Sequence, residues 1–344
     1  PSAQAEGALC SCPVTAEALT GALHALAQQG IEPFGVYVTS PDYLGGVQDI
    51  PALAAVCRAQ GVPLLVDNAH GAYLRFLPQN CHPIAQGAAM CCDSAHKTLP
   101  VVTGGAYLHL AHDAPVQDEA AVRGALALFG STSPSYLILQ SLDACNAVLA
   151  GDYPRRLVQC CAALEGLRRS LNKAAAARQC PVPLAVAGAQ QEPMKLTLDA
   201  AALGCTGTAL ADALRRAQLE CEYADPRYVV LMFTPENPPQ DYTRLQATLE
   251  QLLAAVPAGL PRPENRAGEF AALQQQAVQR CTIRQAVLGA QVRIPVHKAL
   301  GRVCAMPTVS CPPAIPVAVS GEEITPAAIV LMQRYGIEEL SVLR

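Results

Sequence analysis

The alternation of short apolar segments with helical patterns in residues 1–150 restricts the fold more than any other feature of this sequence. Four segments have the length and apolar content of buried strands: Val36–Ser40, Val62–Val66, Ala88–Cys92 and Ala106–Leu110. Pro51–Gln60 has a helical pattern, with Asp49 in position to cap its start and Gly61 just past its end. A strand, a helix and a second strand in this order imply parallel pairing through a crossover. The sequence therefore predicts an α/β fold with a mainly parallel sheet.

The alternation of apolar segments and helical patterns changes near residue 178, and this change predicts further structural units. Before this point, helices are expected at Val116–Phe129, Ser135–Ala150 and Tyr153–Ala177. Beyond it, a smaller α+β pattern has strands at Met194–Leu198 and Tyr228–Phe233 and helices at Thr208–Gln218 and Tyr242–Val256. A proline-rich connection leads to a last predicted helix at Glu269–Gln279 and to shorter segments. We therefore expect three parts, at residues 1–178, 179–258 and 259–344.

The composition argues against several classes of function. The formal net charge is -4 and no run of Lys and Arg is present, so a surface for nucleic acid is not predicted. No apolar stretch reaches membrane-spanning length, and residues 1–7 lack the pattern of a signal peptide. The 15 cysteines include no Cys-x-x-Cys pair and most lie in apolar segments, which predicts buried, reduced thiols and no metal site. These features favour a cytoplasmic protein that binds neither nucleic acid nor membrane.

Two polar side chains follow neighbouring predicted strands. Asp67 comes directly after one strand, and Lys97 comes shortly after the next. Ligands of open parallel sheets bind beyond the carboxyl ends of the strands, so the carboxylate and the amine are expected in one region. A loop-capping carboxylate and a solvated lysine are the simpler interpretations. Two observations argue against a merely solvated Lys97. The chain has only four lysines, and the neighbours Ser94, His96 and Thr98 are donors suited to a phosphate.

Three motifs in this region carry a resemblance to a known family. They are Val38–Gly46 (VTSPDYLGG), Asp67–Ala72 (DNAHGA) and Ser94–Pro100 (SAHKTLP). They resemble the core of the ornithine/lysine/arginine decarboxylases, which are pyridoxal 5′-phosphate (PLP) enzymes of fold type I. Gly130–Tyr136 resembles the family segment that reaches into the partner subunit's site, and Cys311–Glu322 resembles the family's C-terminal signature.

The resemblance implies an identity for each of the three expected parts. Residues 1–178 would be the C-terminal part of the PLP-binding large domain, of the PLP-dependent transferase-like type. Residues 179–258 would be the small α+β domain, and residues 259–344 the C-terminal decarboxylase-type domain.

The resemblance also implies catalytic roles for residues after both strands. Lys97 would hold PLP through an imine bond, and Asp67 would keep the pyridine nitrogen protonated by charge pairing. His70 would lie near the imine and the 3-hydroxyl group, and Ala69 would lie against the ring.

Further roles concern the phosphate and the substrate. Ser94 and His96 would contact the phosphate within the same subunit. Ser131 and Thr132 would serve the partner's phosphate across a dimer interface. Glu322 would bind the distal amine or guanidinium of the substrate, because a buried anion suits a basic side chain.

The activity implied is decarboxylation of arginine, lysine or ornithine to the amine, as in polyamine metabolism, by a homodimer with a shared active site. Two alternatives stay open. The family's phosphate-cradling helix start and ring-stacking histidine are not found in residues 1–36, and the chain departs from the usual pattern at Asn68, Ala314 and Ser320. One alternative is therefore an N-terminally truncated, weakly active homologue that acts through dimerisation. The other is a different fold-type-I enzyme, such as an aminotransferase.

Overall fold

A four-stranded sheet with flanking helices forms the N-terminal part of the protein. The structure is a computed structural model that describes residues 14–131, 133–180, 191–257, 273, 276–306, 308–310 and 315–344. The elements of this part are α1 (Ala16–Gln28), β1 (Val36–Thr39), α2 (Ile50–Ala59), β2 (Leu64–Asp67), a 3-10 helix (Ala72–Phe76), β3 (Met90–Asp93), α3 (Ala95–Thr98), β4 (Tyr107–Leu110), α4 (Glu119–Phe129), α5 (Tyr136–Ala150) and α6 (Tyr153–Ala177).

The sheet has the order β1-β2-β3-β4, and its first three strands are parallel. The helix α2 is the predicted crossover, and the side chain of Asp49 caps it by accepting a hydrogen bond from the amide of Ala52. The strand β4 pairs antiparallel with β3. Between these two strands the chain forms only the single-turn helix α3 and a turn, which is too little for a crossover. The predicted mainly parallel sheet is therefore confirmed, with one antiparallel edge strand.

The two faces of this sheet differ in burial. Val38, Val66 and Cys91 point to one face and form a core with buried leucines of α1 and α2. Side chains alternate along a strand, so the opposite face carries Tyr37 and Asp67, and Tyr37 is 63% exposed. The sheet therefore has one face covered by helices and one open face, and Asp67 belongs to the open face.

A three-stranded antiparallel sheet of order β5-β7-β6 follows. Its elements are β5 (Lys195–Asp199), a 3-10 helix (Ala200–Leu203), α7 (Gly207–Arg216), β6 (Tyr223–Ala224), β7 (Tyr228–Met232) and α8 (Pro239–Ala255). One hydrophobic cluster runs from Leu99, after α3, through Leu164 of α6 to Leu196 of β5 and Leu249 of α8. This core is continuous across residue 178, where a domain boundary is expected, and that boundary stays a prediction.

Strand pairs and short helices make up the described residues of the C-terminal part. Its elements are α9 (Ile283–Leu288), β8 (Gln291–Pro295), a 3-10 helix (Val296–Lys298), β9 (Thr308–Ser310), β10 (Ile315–Ala318), α10 (Pro326–Arg334) and β11 (Glu339–Leu343). The strands β8 and β11 pair antiparallel, as do β9 and β10. The predicted helix Glu269–Gln279 falls mostly outside the described residues. Neither α1 nor the regular elements after residue 280 were predicted from the sequence.

Two predictions from composition can be compared with the fold. The twelve cysteines in the described part of the chain are free thiols, and only Cys92 among them is exposed, which agrees with the prediction of reduced thiols. Within the described ranges, no helix has both the length and the apolar character that a membrane crossing requires.

Candidate functional site

The carboxylate of Asp67 ends β2 on the open face of the sheet. Its Oδ1 accepts a hydrogen bond from the backbone amide of Ala69, and its Oδ2 accepts one from the hydroxyl of Tyr37, each at 3.1 Å. Partial burial and the neighbouring charge of Asp67 raise the pKa of Tyr37 to about 12, so that Tyr37 keeps its proton at neutral pH. Tyr37 and Ala69 therefore orient the carboxylate, and the bond from Ala69 also caps the loop, as the simpler interpretation of Asp67 requires.

The loop after Asp67 meets the turn that carries Lys97. The Nζ atom of Lys97 lies 3.3 Å from Nε2 of His70. Lys97 is half-buried in α3, whereas His70 is only 4% exposed. Burial, followed by the charges of Lys195 and Lys97, lowers the pKa of His70 to about 2. The imidazole is therefore neutral at physiological pH and accepts a hydrogen bond from the lysine.

The second ring nitrogen of His70 is a buried donor that has no hydrogen-bond acceptor among the described residues. When Nε2 accepts from Lys97, the proton of the neutral ring resides on Nδ1. The described residues offer this atom no hydrogen-bond partner, and the ring of Tyr43 packs edge-on against the imidazole at 5.0 Å. An unpaired buried donor costs about 1–3 kcal/mol. A bound group with an acceptor here would offset that cost, and the 3-oxygen of PLP is such an acceptor.

Ser94 and His96, the two predicted phosphate contacts within this subunit, differ in their ability to donate a hydrogen bond. Ser94 precedes α3, is half-buried, and its hydroxyl makes no capping hydrogen bond to the helix. His96 places Nδ1 at 2.9 Å from the carbonyl oxygen of Gly105, to which it donates. In the neutral ring Nε2 then has no proton, so that His96 can donate to a phosphate only as an imidazolium. Ser94 is the more suitable neutral donor.

Lys195 is a further member of the site that the sequence reasoning missed. The side chain is fully buried, donates to the carbonyl oxygen of Asp42 at 3.1 Å, and lies 3.8 Å from the carboxylate of Glu192. Its Nζ also lies 5.7 Å from the centre of the Tyr43 ring. Burial lowers the pKa of Lys195, against the opposing effect of Glu192 and Asp42. The sequence does contain a signal for it, a lysine inside the apolar strand pattern Met194–Leu198. A lysine buried in a strand requires polar or charged partners, so its position indicates a polar site.

Glu192 connects this lysine to the first sheet. Its Oε2 accepts hydrogen bonds from the hydroxyl of Tyr73 and, at 2.9 Å, from the amide of Met194. Tyr73 belongs to the 3-10 helix that follows the His70 loop. The buried ion pair therefore holds β5 against the loop that positions His70.

The remaining predicted residues lie elsewhere. Ser131 is exposed between α4 and α5, where its hydroxyl accepts from the amide of Ser133, and Thr132 lies outside the described residues. The carboxylate of Glu322 turns back on its own loop and accepts from the amide of Val319 at 2.9 Å. Within the single chain, the structure thus brings together Asp67, Ala69, His70 and Lys97 but adds neither Ser131 nor Glu322 to them.

Comparison with known proteins assigns this arrangement to a family. Residues 7–190 match the family model described as "Orn/Lys/Arg decarboxylase, major domain". The chain belongs to this family. Its members are PLP-dependent, and residues 7–190 include all three motifs and the Asp67, His70 and Lys97 positions.

Relatives and solved structures agree with the assignment. The chain is 29% identical to the uncharacterized protein YaaO of Bacillus subtilis (strain 168) over 87% of its length and 61% of the relative's. It is 27% identical to an arginine decarboxylase of the same organism, over 85% of this chain and 59% of the relative. The lysine decarboxylase LdcF of Francisella novicida superposes with a TM-score of 0.70 at 17% identity, covering 95% of this chain and 60% of that one.

An aminotransferase also shares the fold. The alanine–glyoxylate aminotransferase of Nostoc sp. superposes with a TM-score of 0.52 at 16% identity, over 70% of this chain and 66% of that one. Likeness at this identity concerns the fold alone, and it confirms the predicted fold-type-I architecture. The chain spans about 60% of the length of the decarboxylase relatives that it matches.

Proposed function

We propose that this protein catalyses PLP-dependent decarboxylation of a basic amino acid, with arginine, lysine and ornithine as the candidate substrates. The observation that supports it most is the contact of Lys97 with a neutral, buried His70, at the end of the strand next to Asp67. An amine, a neutral imidazole and a carboxylate in this order match the donors and acceptors around a PLP ring. PLP itself supplies the electron sink for the carbon that loses CO₂.

Asp67, Lys97 and His70 would each have a separate role in holding the cofactor. Asp67 would hold a proton on the ring nitrogen through its negative charge, and Tyr37 and Ala69 keep that carboxylate oriented. Lys97 would anchor the cofactor covalently. His70 would donate from Nδ1 to the 3-oxygen of the cofactor and stay neutral throughout, because protonating it would place a third cation beside Lys97 and Lys195.

The deeper side of the site, behind Lys97, is shielded from water. His70 is buried and Lys195 is completely buried, so the local dielectric is low and each charge acts strongly. Ser94 would donate to the phosphate, with His96 adding a hydrogen bond in its protonated form. Glu322 would serve the substrate's distal cation if its loop turns away from Val319.

The decisive assay follows CO₂ release from arginine, lysine and ornithine by the purified protein with saturating PLP. We expect release from at least one of the three that exceeds the release by a Lys97→Ala control. If none exceeds this control while the protein is folded and dimeric, the decarboxylase proposal is wrong. That result would favour a homologue that acts through association.

We further propose that the protein is a homodimer with a shared active site. The helix α4 has no buried residue and α5 has only one, Cys145. Around the Gly130–Tyr136 segment the side chains of Phe129, Tyr136 and Leu137 are 92%, 85% and 72% exposed. An apolar patch of this kind marks an association surface. Its position supports the expectation that Ser131 and Thr132 act in the partner's site.

Charged substitutions in this patch should separate the dimer. Phe129→Asp combined with Leu137→Asp is expected to weaken association by about 30-fold or more, because a buried aromatic anchor contributes about 2 kcal/mol. Light scattering and sedimentation over a dilution series measure the change. Leu300→Asp is the matched control, since Leu300 is 59% exposed and lies in the C-terminal part. A wild-type protein that is monomeric at micromolar concentration and folded by circular dichroism would contradict the dimer.

A further inference from the structure

A buried carboxylate on the covered face of the first sheet contacts the side chains of two histidines. Asp93, the last residue of β3, is 3% exposed. Its Oδ2 lies 3.1 Å from Nε2 of His82 and 3.0 Å from Nε2 of His109. The side-chain amide of Asn68 donates a further hydrogen bond to the same carboxylate.

The two oxygens of Asp93 have different partners. Oδ1 accepts from the side-chain amide of Asn68 at 2.7 Å and from the thiol of Cys91 at 3.4 Å. Among the described residues, the partners of Oδ2 are the two imidazole nitrogens. One oxygen is thus fixed by hydrogen bonds while the other faces two potential metal ligands, which is how ligating carboxylates are supported in metal sites.

Three parts of the chain converge to make this arrangement. Cys91 and Asp93 are two residues apart on β3 and share a face, and His109 lies opposite Cys91 on β4. His82 comes from the loop before β3. The ligand atoms of His82, Asp93 and His109 all lie within 4.8 Å of one another. Ligands held at about 2.0–2.2 Å from a tetrahedral ion are about 3.3 Å apart, and the two Oδ2–Nε2 distances of 3.1 and 3.0 Å are within a few tenths of an ångström of that spacing.

A cavity adjoins these three side chains. Its volume is about 400 Å³, and His82, Asp93 and His109 line it together with apolar side chains such as Phe76, Leu99 and Tyr107. An ion held by three protein ligands would therefore have space on the cavity side for a water molecule or a small ligand as the fourth donor. His109 is partly exposed, which gives an ion a path to the site.

We propose that His82, Asp93 and His109 form a binding site for a divalent transition-metal ion, Zn²⁺ above all. Two imidazoles and one carboxylate are a donor set that Zn²⁺ binds, with a position left open for water. An ion would replace the two imidazole protons that now point at Oδ2. The site is separate from the Lys97 site, because Asp67 and Asp93 lie on opposite faces of the sheet. Sequence reasoning considered only cysteine spacing and therefore missed it.

The test is zinc binding by the purified protein in the absence of PLP, which itself chelates metals. After loading and dialysis against metal-free buffer, we expect about one Zn²⁺ per chain by elemental analysis. Titration with Co²⁺ should give visible absorption bands of a low-symmetry site with nitrogen and oxygen ligands. His109→Ala should weaken binding by about 100-fold or more, and Asn68→Ala by about 10–100-fold through loss of the support to Asp93.

Two controls distinguish this site from adventitious binding. His112→Ala removes an exposed histidine three residues from His109 and should leave binding unchanged. Cys92→Ser removes the exposed thiol and should also have no effect. The proposal is overturned if the wild-type protein retains no stoichiometric ion, if folded His109→Ala binds as tightly as wild type, or if Cys92→Ser abolishes binding. The wild-type measurement alone decides if His109→Ala does not fold.

Discussion

Replacement of Lys97 by alanine is expected to abolish the covalent PLP that borohydride traps on this protein. Lys97 is half-buried, and its Nζ contacts His70. Lys195 is its one serious rival, because burial lowers the pKa of Lys195 and so favours the neutral, nucleophilic amine. Access decides between them, since Lys195 is fully buried and its Nζ already donates to Asp42. The expected loss is therefore complete, not partial.

The measurement is peptide mapping by mass spectrometry after reduction with borohydride. Wild type should yield one labelled peptide, which contains residues 94–100. Lys173→Ala is the matched control, because Lys173 is exposed on α6 and its removal should leave labelling unchanged. Label recovered at Lys173, Lys195 or Lys298 instead of Lys97 would refute the assignment.

Local sequence was sufficient to predict the elements that carry the first site. Asp49 and Gly61 marked the ends of α2, and the apolar run before Asp67 marked β2, because caps and buried strands are short-range features. The order strand-helix-strand then made β1 and β2 parallel. Asp67 and Lys97 followed from their positions after neighbouring strands.

The residues that sequence reasoning missed are joined over long distances along the chain. Lys195 contacts Asp42 across 153 positions, and Tyr73 contacts Glu192 across 119. No local pattern encodes such pairs, and only tertiary packing creates them. The antiparallel direction of β4 was missed for a related reason, since an apolar strand pattern contains no information about the direction of pairing.

The cluster around Asp93 borders two of the sequence motifs but faces away from the Lys97 site. Asp93 stands directly before the SAHKTLP motif, and Asn68 stands inside the DNAHGA motif. Because side chains alternate along β3, Cys91 and Asp93 point to the face opposite Asp67. A polar residue on a face that otherwise carries Val66 and Cys91 is the signal, although only the fold reveals the two histidines.

Asp67→Asn is expected to reduce turnover by about 10²–10³-fold, with PLP binding weakened only moderately. Asparagine keeps the shape of the side chain, and its oxygen can still accept from the amide of Ala69 while its NH₂ group donates to the hydroxyl oxygen of Tyr37, so the loop should hold its structure. What is lost is the negative charge that would keep the pyridine nitrogen protonated. Removal of one preorganised electrostatic partner typically costs about 2.7–4 kcal/mol in the transition state.

The measurement compares kcat at saturating PLP, with the PLP dissociation constant determined separately by titration. A fall in kcat that persists at saturating PLP separates an electronic role from simple loss of cofactor. Asp49→Asn is the matched control, because asparagine caps a helix as well as aspartate does and Asp49 caps α2, far along the chain from Lys97. If Asp67→Asn keeps near-normal turnover, another residue holds the ring nitrogen. The contacts of Asp67 with Ala69 and Tyr37 would then leave it the loop-capping role that its position after a strand first suggested.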